Sequence, residues 1–419
     1  MSFMDAVLPA LSDAFVPPTV RGTADLTDFA YQGHDYETLM ARIGESRGCN
    51  PPDAEAAAWT YDASIAAQLG FRRAEGLNLQ DAALSAAQVY RIGAAPRAGH
   101  PPLRLLALVG PGDLMTNTPL DFLTNHLNVR LDLLYVLPER GLPPVIPDHE
   151  VAFFAIGEAD PSTLVRLRQL YAAWPRPALN DPHFLPVLER DALSRCLAGV
   201  PGLCSPAAVA VSRAALDDHL GTGRAIQGID LAAGPYLIRP AGSHAGSGLS
   251  RIRTPADLAD YLRFSFERHF FLTAFEDYAS PDGLYRKSRV AFIDRQPFLC
   301  HMAVSQNWMV HYLNAGMTES AERRAEEAQA MAGFEAGFAR RHAAAFDALH
   351  QRLGFDYYSI DCAETRDGRL LVFEADAAAI IHLMDPPDLF PYKQPAMRKV
   401  FAAFDAMLRR RVMSSARTR

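Results

Sequence analysis

Two short apolar runs around a turn constrain this chain more than any other feature. Tyr357-Tyr358-Ser359-Ile360 leads into Asp361, and Leu370-Leu371-Val372-Phe373 leads into Glu374. Between them Arg366-Asp367-Gly368-Arg369 carries hairpin turn chemistry, so the spacing predicts an antiparallel pair. Residues two apart in a strand point the same way, which puts Glu374 and Asp376 on one face, with Ala375 on the other and Asp361 able to fall opposite the acids. Glu374 follows four apolar residues and precedes Ala377-Ala378-Ala379-Ile380-Ile381, so the acids interrupt a segment that reads as buried. Buried carboxylates are rarely kept without a partner, and three together repel unless a cation lies among them. Oxygen-only ligands suit Mg²⁺ or Mn²⁺. Asp361, Glu374 and Asp376 are therefore candidate metal ligands; the plain alternative is that they are solvated strand-end acids.

Far upstream, Tyr236-Leu237-Ile238-Arg239-Pro240 is a short apolar strand ending in a cation. It runs directly into Ala241-Gly242-Ser243-His244-Ala245-Gly246-Ser247-Gly248. A loop of this composition can bring backbone N–H groups close to phosphate oxygens, and Arg239 offers them a planar fork. The segment does not fit the GxxxxGK[ST] phosphate loop, and no persuasive GxGxxG fingerprint accompanies it. Phe270-Phe271-Leu272-Thr273-Ala274-Phe275 then reads as a strand reaching Glu276-Asp277-Tyr278, and Ser280-Pro281-Asp282-Gly283 as a turn. In the strand that follows, Leu284 to Ile293, alternation places Lys287 and Arg289 on one face, where an apolar row is usual. Beside a phosphate loop they would neutralise a transferring phosphoryl group.

This ordered set resembles the ATP-grasp superfamily of carboxylate ligases. The resemblance spans roughly the last half of the chain. It implies an α/β, ATP-grasp fold, with a small parallel-sheet domain before it and a helical N-terminal region. By the resemblance, ATP and Mg²⁺ (or Mn²⁺) are the cofactors. Arg239 stands for the usual phosphate-binding lysine. Gly242, Ser243, Gly246, Ser247 and Gly248 form the flexible loop, and Thr273, Phe275 and Asp277 the adenine and ribose segment. Lys287 and Arg289 supply the basic strand, His244 is a further candidate catalytic group, and Asp361, Glu374 and Asp376 match the metal ligands. Arg239 replaces lysine and Asp376 replaces the family's asparagine, two departures compatible with nucleotide binding. The implied reaction is attack of a carboxylate on the γ-phosphate of ATP, capture of the acylphosphate by an amine, and release of ADP and phosphate. A small-molecule kinase or ATPase of the same fold, or a noncatalytic nucleotide-binding partner protein, are the alternatives.

Other polar residues stand near these segments. His301 and His311 flank an aromatic stretch, and alternation can aim His301 into the cleft of Lys287. His382 and Lys393, on a proline-rich segment after the acids, can wall an acceptor pocket. Asn117 and Thr118 open a helix in the preceding domain and are candidate substrate contacts.

The chain has 419 residues, nearly half of them apolar, enough for two or three domains. The expected boundaries are 1–100 for a helical region, 101–178 for a small α/β unit, 179–410 for the ATP-grasp domain and 411–419 for a basic flexible tail. Helices are expected over Tyr36 to Ile43, Asp53 to Leu69, Ala82 to Tyr90 and, as one long element, Glu319 to Arg352. A formal charge of −7 gives no general attraction to nucleic acid. Five scattered cysteines without CxxC spacing argue for free thiols, and no membrane-length apolar run or secretory signal is visible. Small carboxylate and amine substrates in the cytoplasm are the expected partners; a homodimer is left open.

Overall fold

The computed structural model describes residues 8–416 except 46–47, 49, 94–100, 230, 232–233 and 244–245. The apolar run Leu103–Val109 lies inside a six-stranded sheet ordered Thr19–Val20, Val89–Ile92, Val129–Tyr135, Leu103–Val109, Val151–Phe154, Ala178–Leu179. Every pairing in it is parallel except that of Val89–Ile92 with Val129–Tyr135. A parallel strand covered on both faces reads as a continuous apolar run, and this one is buried almost throughout. The expected separation of residues 1–100 does not hold, because Thr19–Val20 and Val89–Ile92 are strands of this same sheet. Tyr90, expected in a helix, is buried in the second of them and donates its hydroxyl to the carbonyl of Ala83.

Two further sheets follow. One is antiparallel, with Ala208–Ser212, His269–Ala274, Tyr236–Pro240 and Ser250–Ile252 in that order, and its core includes Leu216 and Leu258 of the helices Arg213–Thr222 and Pro255–Phe264. The other is ordered Gln296–Ser305, Tyr285–Ile293, Tyr357–Glu364, Leu370–Asp376, Leu203–Cys204. On one side of this five-stranded sheet Phe292 and Tyr358 stack at 4.7 Å and pack with Phe346 and Leu349 of the helix Ala343–Leu353. Ala291, Ile293, Cys300 and Tyr357 join a different cluster, shared with Phe153 of the six-stranded sheet and Phe401 and Phe404 of the helix Lys393–Ala416.

The α/β class expected from the sequence is the one adopted. Two local expectations are corrected. The long helix over 319–352 is three helices, Ala321–Gly333, Phe338–Arg341 and Ala343–Leu353, broken near Gly333 and Gly337, where Gly337 N–H reaches back to the Gly333 carbonyl. Residues 411–416 are helical rather than a flexible tail, and Arg411 is paired with Asp356. Cys196, Cys204, Cys300 and Cys362 are free thiols, Cys49 lying outside the described residues. Among the described residues no helix is long and apolar enough to cross a membrane.

Candidate functional site

The acid hairpin forms as its alternation requires, with Asp361 directly opposite Glu374 and Ser359 opposite Asp376. The neighbouring strand extends the row, since Arg289 lies opposite both Asp361 and His301. His301, Arg289, Asp361 and Glu374 therefore form one continuous cross-strand line, with Lys287 two residues from Arg289 on the same face. The apolar end of this face carries Ala291 and Ile293.

Charge is distributed unevenly along the line. Arg289 grips Asp361 with two bonds, Nε to Oδ1 at 2.8 Å and Nη2 to Oδ2 at 3.2 Å, and Lys287 Nζ reaches Oδ2 at 2.7 Å. Burial alone would raise the Asp361 carboxyl, but Arg289 and then Lys287 outweigh it and hold it well below the usual range. Glu374 is bonded to Arg190 at 2.6 Å; burial again opposes, and Arg190 leads the groups that lower it. Among the described residues no cation is ion-paired with Asp376, and of the cations only the more distant Arg289 lowers it. Asp376 Oδ1 accepts from Ala378 N–H at 2.6 Å, and burial, with Glu374 adding to it, pushes its carboxyl up to about 6.

Arg239 approaches from the four-stranded sheet. Its guanidinium donates to the hydroxyl and the carbonyl of Ser243, the former at 3.1 Å, and Ser243 Oγ in turn donates to the Pro240 carbonyl. Burial and the nearby Arg190 lower Arg239 to about 10, with Glu374 pulling the other way. The expected phosphate cation thus holds the start of the glycine loop and lies within electrostatic reach of the acid row. In that loop Gly242, Gly246 and Gly248 all have positive φ, and a Cβ on Gly248 would meet Pro240 at 2.7 Å. Ser247 is exposed, and Met309 lies 3.7 Å from where a Gly246 Cβ would stand. His244 lies outside the described residues.

The expected adenine and ribose segment is partly spoken for. Phe275 meets Trp308 edge-on at 5.6 Å, and the Arg251 guanidinium lies over both rings. Asp277 is ion-paired with Arg366 at 2.8 Å and accepts from Ala279 N–H, so it braces a turn. Thr273 pairs with Leu237 and Ala208 in mid-sheet. Asn117 and Thr118 serve the fold, not a substrate: Asn117 bonds both backbone groups of Gly110, and Thr118 donates to the Ala377 carbonyl.

The three acids expected to hold a metal carry other partners in this structure. Among the described residues no group of three or more His, Cys, Asp or Glu side chains is disposed to hold a metal ion. Asp361, Glu374 and Asp376 do share a face, but the first two are neutralised by Lys287, Arg289 and Arg190, and the third is bonded to a backbone N–H. The donor set as it stands does not fit Mg²⁺ or Mn²⁺. With Arg190, Arg239, Lys287 and Arg289 facing three carboxyls, one of them readily protonated, the cleft carries surplus positive charge and fits a polyanion.

Arg190 was not singled out in the sequence, where Glu189-Arg190-Asp191 looks like an ordinary helix start. A second buried network was also hidden. Lys393, 3% exposed, bonds Asp385 at 2.9 Å and the Tyr312 hydroxyl, while Glu327, fully buried, accepts from Met302 N–H, Tyr312 and Tyr392. Lys393 is thus consumed in fixing the 311–317 segment. His301 packs against Tyr312 with the ring centroids 4.8 Å apart and the planes tilted by 56°.

No protein-family model matches this sequence, and no curated protein matches it. Solved structures similar to it include a RimK-domain ATP-grasp protein from Sphaerobacter thermophilus, 17% identical, covering 74% of this chain and 99% of that one at a TM-score of 0.37. D-alanyl-alanine synthetase A from Vibrio cholerae is 10% identical over 75% of this chain and all of that one, TM-score 0.44. D-alanine–D-alanine ligase from Bacillus anthracis, solved with ATP, is 10% identical over 75% and 99%, TM-score 0.42.

Proposed function

We propose that this chain is an ATP-dependent ligase of the ATP-grasp type, joining a small-molecule, amino-acid or peptide carboxylate to an amine through an acylphosphate. The observation that carries this reading is the convergence of Arg190, Arg239, Lys287 and Arg289 from three separate elements, the helix Arg190–Leu197 and the strands Tyr236–Pro240 and Tyr285–Ile293, beside a glycine loop. Fixed cations in a part-buried cleft stabilise a phosphoryl group in transfer without reorganising at the moment of reaction. In this reading Arg239 and Arg190 hold the phosphate chain and Lys287 accompanies the transferring group. Arg289, which Asp361 keeps protonated and aligned against the pull of burial, stabilises the acylphosphate and its tetrahedral successor. The loop over 242–248 excludes water that would hydrolyse an acylphosphate. A divalent ion would have to displace Lys287 or Arg190 to reach the paired acids, and no step is assigned to one.

The test is incubation with ATP and MgCl₂ across pooled carboxylates and amines, reading ADP and new product masses together. ADP with an amide product supports the ligase. ADP with a phosphorylated metabolite, or with none, supports the kinase or ATPase alternative, and AMP with pyrophosphate contradicts phosphoryl transfer altogether. ATP binding without turnover in any pool would leave a noncatalytic nucleotide-binding protein.

A further inference from the structure

Beyond the four cations, the ionic row ends in a group that the reading above leaves without a task. His301 continues the line past Arg289, on the edge strand Gln296–Ser305, and among the described residues its buried Nδ1 has no hydrogen-bond partner. A buried polar atom without a partner costs stability and calls for an explanation. Its surroundings are otherwise settled. Tyr312 packs on the ring and is itself held by Glu327 and Lys393, and His382 uses its Nδ1 to accept from Met384 N–H.

Resting on the ligase reading, we propose that His301 seats the acceptor amine and takes the proton that the attacking nitrogen must lose. The chemistry of the neighbourhood leaves few other candidates. Asp361 is tied to Lys287 and Arg289, Glu374 to Arg190, and Asp376 accepts from the Ala378 N–H, while Arg239 is held by Ser243. The groups that face His301 electrostatically are Arg289 from the adjoining strand, Asp361 from the strand beyond it, Lys393 from the helix Lys393–Ala416 and His382 from the segment after the hairpin. Burial first and Arg289 next lower His301 well below the usual imidazole range, so it waits as a neutral base. The same positive surroundings favour an amine that arrives as its free base. Its lone pair forms the bond to the acyl carbon, and the nitrogen becomes positively charged and acidic. One N–H proton passes to the imidazole, the C–O bond to phosphate breaks, and phosphate leaves with that electron pair. The imidazolium then returns its proton to solvent.

The deciding experiment compares wild type with His301→Asn and His301→Ala. Each receives ATP, MgCl₂ and a pool of the proteinogenic amino acids with simple di- and tricarboxylates, with and without hydroxylamine. Hydroxylamine is a free base at neutral pH and traps an acylphosphate as a hydroxamate with little need of a base. Both variants are expected to lose amide formation by roughly 100-fold, the scale of one general base, while hydroxamate persists within about threefold. The wild-type rate of amide formation should fall on the acid side of its profile, and this limb should vanish in His301→Asn. Equal loss of amide and hydroxamate in the better-folded variant, or undiminished amide formation, overturns the role of His301 and leaves the ligase standing. Absence of hydroxamate and of substrate-dependent ADP with wild type overturns the ligase reading and this one together.

Discussion

Two ionic networks lie near one another in this molecule and are built to opposite ends. In the cleft, Lys287, Arg289, Arg190 and Glu374 have side chains 21 to 32% exposed, and positive charge is in surplus. Around Lys393 the lysine, Glu327 and Asp385 are nearly sealed, and the Tyr312 and Tyr392 hydroxyls complete their bonds. A sealed network whose groups all have partners fixes geometry and has nothing left to offer a ligand. An unbalanced, half-open one lowers its energy by admitting a counter-charge.

The largest effect that could break this contrast is on the sealed side. Glu327→Ala leaves Met302 N–H, two phenol hydroxyls and Lys393 short of an acceptor, and is expected to cost about 3–5 kcal/mol, read as a lowered denaturation midpoint. Next comes His382, which feels both networks. Burial, against Asp385 and with Lys393 and Arg289, lowers it to about 4 from an ordinary 6.5. The unfolded chain then takes up the proton first as pH falls, so this stability is full above pH 6.5 and is lost between 6.5 and about 4. The loss is at most about 3 kcal/mol and should shrink in His382→Gln. On the open side, Lys287→Met removes one of the two cations on the buried Asp361 but leaves it bonded to Arg289, and should cost about 1–2 kcal/mol of stability. ATP affinity should fall roughly tenfold or more, measured by calorimetric titration. The smallest effect is that of salt. Raising it from about 0.05 to 0.5 M should weaken ATP binding severalfold while leaving the Glu327→Ala penalty unchanged.

How much of this could be read from the sequence depended on how local the cause was. The acid hairpin and the basic strand were legible because alternation and turn residues act over a few positions, and both formed where expected. The fate of the acids was not. The cations that pair with Asp361 and Glu374, Arg289 and Arg190, lie 72 and 184 residues away and could not be assigned to them from spacing. The same distance hid the sealed network, in which Lys393 meets Tyr312 from 81 positions off. Val89–Ile92 follows an alanine-rich helix and is only four residues long, too short for its period to declare a strand that tertiary pairing then imposes. The basic stretch at 409–411 is held in a helix by Asp405, Asp294 and Asp356, two of which are remote in sequence.

The helix Lys393–Ala416 packs Val400, Phe401, Phe404 and Leu408 into the same core as Leu105, Ala107 and Phe153 of the first sheet. The apolar cover of that sheet therefore follows its last strand, Ala178–Leu179, far along the sequence, and a nascent chain that has not yet reached it leaves one flank of the sheet open to water. Refolding should accordingly be slow, and a ribosome stalled before residue 393 should present an exposed, aggregation-prone sheet to the cell's chaperones.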